Sequence, residues 1–252
     1  MTEVRPISQS ETGDFLRLLC GVFDLDYQRA SAVFFSEPFY DLTHKWALFE
    51  SGYMLSCLTT TPLMFGHGPA IGIAGVATTP DARRRGLASE LVSSVIGRLG
   101  LPAMLFALDE RLYEAIGFTP VDAVIRGELK TCQPEEVKEL DSGEVKAIYA
   151  SWSAQKLERL QRDERRWKFW QWHYRVCYPI QQGYMATEPG VLREAIVSTP
   201  VEALPIASDA EWLGLRSMAM ELGLPIKSER FDMHVMTKGF DFLPSMFLTD
   251  QF

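Results

Sequence analysis

The stretch "AIGIAGVATTPDARRRGLASELV", from Ala70 to Val92, constrains this chain more than any other. It opens apolar on both faces, as a strand in the middle of a sheet does. Pro80 ends that strand, and three arginines and a glycine follow. Leu87, Leu91, Val95 and Leu99 then recur at the four-residue spacing of an amphipathic helix. A strand that turns through a glycine into a helix points several backbone N–H groups, and the positive helix end, into one small space. Phosphate oxygens bind such a space without needing a particular side chain.

Gly86 allows close backbone approach, and Ala88 is small enough for a pyrophosphate to lie against the first helical turn. Arg83, Arg84 and Arg85 put positive charge at the rim. Neither G-x-G-x-x-G nor G-x-x-x-x-G-K-[ST] is present. The arginines stand out because the chain is acidic, with 33 Asp and Glu against 25 Lys and Arg and a net charge of -8. That balance argues against nucleic-acid partners and mildly favours cationic small substrates.

The residues up to 130 read as β-α-α-β-β-β-α-β-α-β, a mixed α/β sheet with helices on both faces. "EVRPIS" is the first strand, and "SETGDFLRLLCGVF" is a helix with Ser10 as its N-cap and Phe15, Leu18, Leu19 and Phe23 on one face. A second helix stops before Pro38. The turns "SG" and "GHGP" separate the strands that precede the arginine loop. Beyond residue 130, "TCQPEEVKELDSGEV" reads as a linker, residues 145–172 as one long helix, and "DAEWLGLRSMAMELG" as a helix between strands. The expected layout is a first domain over 1–130 and a second α/β unit over 131–252.

The pattern [Q/R]-x-x-G-x-[G/A] is met by Arg83, Gly86 and Ala88, and "LYEAIGF" (Leu112 to Phe118) supplies Y-x-x-x-G-F at the expected distance. On these motifs residues 1–130 resemble the GNAT superfamily of acetyl-CoA-dependent N-acetyltransferases. The resemblance implies a GNAT acyl-CoA N-acyltransferase fold, with acetyl-CoA as cosubstrate and an amine as acceptor. Val76, Ala77 and Thr78 would line the pantetheine arm, with Thr78 near the thioester carbonyl, and the loop and helix start from Arg83 through Arg84, Arg85, Gly86, Leu87 and Ala88 to Ser89 would hold the pyrophosphate. Tyr113 falls on the tyrosine that protonates the departing thiolate in many relatives, a job suited to a phenol. A non-catalytic acyl-CoA-binding or regulatory module is the alternative, which Tyr113→Phe would separate from an enzyme.

A base must also deprotonate the amine, and the strand before the loop carries no acid. Asp24, Asp26 and Glu37 on the N-terminal helices are the candidates. The two-unit layout resembles the Eis (enhanced intracellular survival) acetyltransferases, which pair a catalytic GNAT domain with a degenerate one that lacks the coenzyme loop. In that family the terminal carboxylate of a third domain acts as base. Phe252 follows a different unit, so the resemblance does not carry that role over. The second unit would wall the acceptor pocket or mediate dimerisation, which leaves a homo-oligomer open.

The basic and aromatic run "RLQRDERRWKFWQWHYR" reads as packing, with Trp152, Trp167 and Trp170 as anchors between the units and the arginines on the wet face. His44, His67, His173 and His234 fit no metal spacing, and Ser89 and Ser93 have no G-x-S-x-G context. Cys20, Cys57, Cys132 and Cys177 are far apart and read as free thiols in a reducing compartment. With no signal pattern and no membrane-length apolar run, the expectation is a soluble cytoplasmic protein.

Overall fold

The structure is a computed structural model that describes residues 2–134, 136–173 and 175–252. The first half contains β1 (Thr2–Pro6), α1 (Thr12–Phe23), α2 (Tyr27–Ser36), β2 (Lys45–Glu50), β3 (Tyr53–Phe65), β4 (Gly68–Thr78), α3 (Leu87–Leu99), β5 (Ala103–Ala107), α4 (Arg111–Glu114) and β6 (Thr119–Leu129). That is the order expected from the sequence. The first helical cap differs: Ser8, not Ser10, forms a capping box with Glu11 on a 3-10 turn that leads into α1. Phe23 lies exposed instead of joining the buried face of α1.

The second half contains α5 (Ser142–Ser153), α6 (Glu164–Gln171), β7 (Val176–Ile180), β8 (Gly183–Glu188), β9 (Val191–Ile196), β10 (Glu211–Leu215), α7 (Arg216–Glu221) and β11 (Ile226–Lys238). Residues 145–172 are therefore not one helix. The chain leaves α5 at Ser153 so that Leu160 can bridge to Phe65 and Arg159 to Ser245, and Asp163 caps the restart by accepting from the Arg166 N–H. The arginines of this run are not on a wet face either, since Arg159, Arg162 and Arg166 are buried. Trp152, Trp167 and Trp170 are buried packing anchors, as expected. Residues 211–215, expected as helix, form β10 because they pair with β6 from Glu211↔Glu128 to Leu215↔Val124.

All of the strands join one sheet, in the order β1-β2-β3-β4-β5-β11-β6-β10-β9-β8-β7. The two halves exchange strands at its centre. β11 lies between β5 and β6, and β6 lies between β11 and β10. The sheet thus runs unbroken across the sequence division at residue 130.

The second unit repeats the order of the first from its helices onward, without a counterpart of β1: two helices, a three-stranded antiparallel meander, a strand parallel to the last of these, a short helix and a closing strand. It also lacks a counterpart of α3, because residues 197–210 connect β9 to β10 without a helix. This is a degenerate copy of the first unit. One buried cluster fills the space between the sheet and α3, a second packs under α1 and α2, and a third, the largest, belongs mainly to the second unit.

Candidate active site

β4 is bonded along its length to β3, but it pairs in parallel with β5 only from Ile71 to Ile73, opposite Ala103 to Leu105. Just past that pairing the β3–β4 register slips, and Gly75 adopts a left-handed φ of +60°. A bulge of this kind bends its strand. β4 and β5 therefore part beyond Ile73 and Leu105, leaving a wedge whose β4 edge has no strand partner among the described residues. Val76 packs toward α3, whereas Ala77 is buried on the α1 side. The Thr78 hydroxyl lies 2.9 Å from the Ser56 hydroxyl, which also donates to the Ala77 carbonyl at 2.8 Å.

The wedge opens onto the arginine loop. Arg84 has φ +61° and Gly86 φ +77°, and the Gly86 residue directly precedes α3. Nothing lies within 4 Å of the point a Gly86 side chain would occupy, so its backbone conformation, not crowding, calls for glycine. No side chain caps α3, so the N–H groups at Leu87, Ala88 and Ser89 have no intrahelical partner and remain available to an anion. The Leu87 side chain is buried in the core.

The three arginines have separate fates. Arg85 pairs with Glu50 at 2.7 Å, and Arg83 folds back toward the Thr78 carbonyl at 3.4 Å. Arg84 makes no hydrogen bond or ion pair among the described residues.

Tyr113 sits on α4 just after β5 and packs half-buried against the same cluster as Val76, with its ring 6.0 Å from that of Phe118. Burial pushes its phenol above the ordinary value, so it is protonated at neutral pH.

The three candidate bases each have a structural partner or role. Asp24 ends α1 in a left-handed conformation, Asp26 caps α2 by accepting from the Arg29 N–H, and Glu37 pairs with the buried Lys45 at 2.5 Å. His44 was not singled out as a base. It is half-buried, its Nδ1 lies 3.2 Å from the Thr60 hydroxyl, and burial, against the pull of Asp41, holds its pKa below the ordinary value.

The second unit also reaches this region. The Phe252 ring lies against Gly72, where a methyl group would collide with it, and 5.4 Å from the Phe106 ring. A glycine in a buried strand was the one sequence signal for that close approach.

Residues 3–121 match the family model for the acetyltransferase (GNAT) domain. The first half is a GNAT domain. Solved GNAT proteins share the fold over nearly the whole chain. A GCN5-related N-acetyltransferase from Kribbella flavida is 15% identical over 94% of this chain and 70% of its own, with a TM-score of 0.70. One from Anabaena variabilis is 15% identical over 94% and 72%, at 0.68. Eis1 from Mycobacterium abscessus is 14% identical over 93% and 73%, at 0.60, so the two-unit layout is shared with an Eis protein. At such identities the likeness is one of fold. No curated protein matches the chain in sequence.

Among the described residues no cluster of His, Cys, Asp or Glu is suited to a metal ion, and no helix is long and apolar enough to cross a membrane.

Proposed function

We propose that this GNAT protein transfers the acetyl group of acetyl-CoA to a primary amine. One observation carries the reading: the unpaired β4 edge leads directly to an uncapped helix N-terminus behind a left-handed glycine. The pantetheine arm has two amides and can add to a free strand edge as an extended peptide does. A pyrophosphate at the far end of the same edge then meets the N–H groups from Arg84 to Ser89.

The acceptor amine, once neutral, attacks the thioester carbonyl. A C–N bond forms, the C–S bond breaks, and the amine's surplus proton leaves to a base or to water. Tyr113 gives its phenolic proton to the departing thiolate and regains one from solvent. The first unit supplies the coenzyme site, and the second supplies β11 and a wall on the acceptor side. The net charge of -8 suits a cationic acceptor.

Thermal unfolding with and without acetyl-CoA tests this. At about a hundred times the dissociation constant, binding adds roughly 2.7 kcal/mol, a rise of a few degrees. Gly86→Glu should abolish the rise. An unmoved transition with every acyl-CoA would sink the proposal.

A further inference from the structure

Resting on that reading, we infer that the Phe252 ring, backed by Phe106, sets the length of acyl chain the enzyme accepts. With the pyrophosphate at the start of α3 and the pantetheine running back along the free β4 edge, the coenzyme's sulfur end comes not to Thr78 but to where the wedge narrows, next to the last β4–β5 pair, Ile73 and Leu105. On the α3 face of that point Ile73, Leu105 and Ala107 are buried in a filled core. The opposite face of β4 offers Gly72, which has no side chain. The space above it is taken by the Phe252 ring, with the Phe106 ring alongside. Acyl carbons beyond the first few would run into these two rings.

The Phe252 ring is also held in place. Arg162, fully buried, binds the Asp250 carboxylate at 2.7 Å, and Arg166 donates to the Asp250 carbonyl at 3.1 Å. Phe247 stacks on Trp152 at 5.1 Å. The segment from Met246 to Leu248 is buried. The chain is thus anchored two residues before the ring, and the ring itself packs against the buried cluster of the second unit, where it acts as a stop.

Calorimetric affinities for acetyl-, butyryl- and hexanoyl-CoA test the inference on the whole protein. The native protein should bind hexanoyl-CoA about tenfold more weakly than acetyl-CoA, the scale on which an apolar pocket discriminates by size. Phe252→Ala should erase or reverse that ratio while leaving acetyl-CoA affinity within a few-fold. Phe252→Leu should fall between the two. Phe106→Leu reaches the same space from the other ring and serves if the first variant fails to fold.

An unchanged ratio in a folded Phe252→Ala protein that still binds acetyl-CoA overturns the inference alone. Equal native affinities for all three thioesters do the same. Failure of the native protein to bind any acyl-CoA overturns the proposed function along with it.

Discussion

Arg85 donates to both carboxylate oxygens of Glu50, at 2.7 and 2.9 Å, and so ties the arginine loop to the end of β2. One of the three loop arginines is thereby spent on holding the loop's shape. Among the described residues the guanidinium left without a partner is that of Arg84, whose own backbone is left-handed and stands two residues before Gly86.

Arg84 is accordingly the arginine expected to meet phosphate. Arg84→Ala should weaken acetyl-CoA binding by about tenfold, the worth of one charge-assisted contact, and should flatten its dependence on salt. Arg85→Ala should cost less affinity, because its charge is already engaged by Glu50. Titration calorimetry at two salt concentrations separates them, and equal losses would contradict the assignment.

Tyr113→Phe should lower kcat by roughly a hundredfold or more, the ordinary contribution of a positioned acid, with acetyl-CoA affinity nearly unchanged. The phenyl ring keeps the packing against Phe118. A variant with undiminished turnover would remove Tyr113 from the chemistry. A native protein that binds acetyl-CoA but turns over no amine would favour a binding module.

The elements of the first half were legible because their signals are local. An apolar strand, a stopping proline, a left-handed glycine and a four-residue leucine spacing each act on their immediate neighbours. Strand exchange was hidden, since nothing within Ile226–Lys238 says that it will lie between β5 and β6. β10 was misread because Trp212, Leu215 and Met218 fit a helical spacing that pairing with β6 overrides. The break between α5 and α6 was missed for a related reason. Charged side chains there suggested a wet face, whereas Arg162 and Arg166 are drawn inward by Asp250 and by the Pro62 carbonyl. Phe252 left only an indirect trace, at Gly72.

Arg162 holds two buried carboxylates, Glu194 at 2.5 Å and Asp250 at 2.7 Å, and its guanidinium lies 3.9 Å from the centre of the Tyr149 ring. Burial opposes the charge on Glu194. Arg162, with hydrogen bonds from Thr249 and Tyr184, outweighs it and keeps the Glu194 pKa below the ordinary value. On Asp250 burial prevails over Arg162 and raises the pKa. Arg162→Leu would leave both acids without their cation, at a cost of about 3–5 kcal/mol. Urea unfolding should show that loss, and a change below about 1 kcal/mol would mean the network is dispensable.

Glu11 carries the clearest pH dependence. Hydrogen bonds from Arg5, with the Ser8 N–H and hydroxyl adding theirs against the cost of burial, hold its carboxyl at about 2, down from 4.5. A carboxyl depressed in the folded state binds its proton more readily when unfolded, so its stabilisation is complete above pH 4.5 and lost as pH falls toward 2. The pair is partly exposed, and solvent screening limits its worth to about 1 kcal/mol. The native protein should therefore exceed Glu11→Gln in stability at pH 7, and the difference should shrink steadily between pH 4.5 and 2. Denaturant midpoints for both proteins across that range provide the check. A difference that stayed constant with pH would show that the side chain acts through packing and not through its charge.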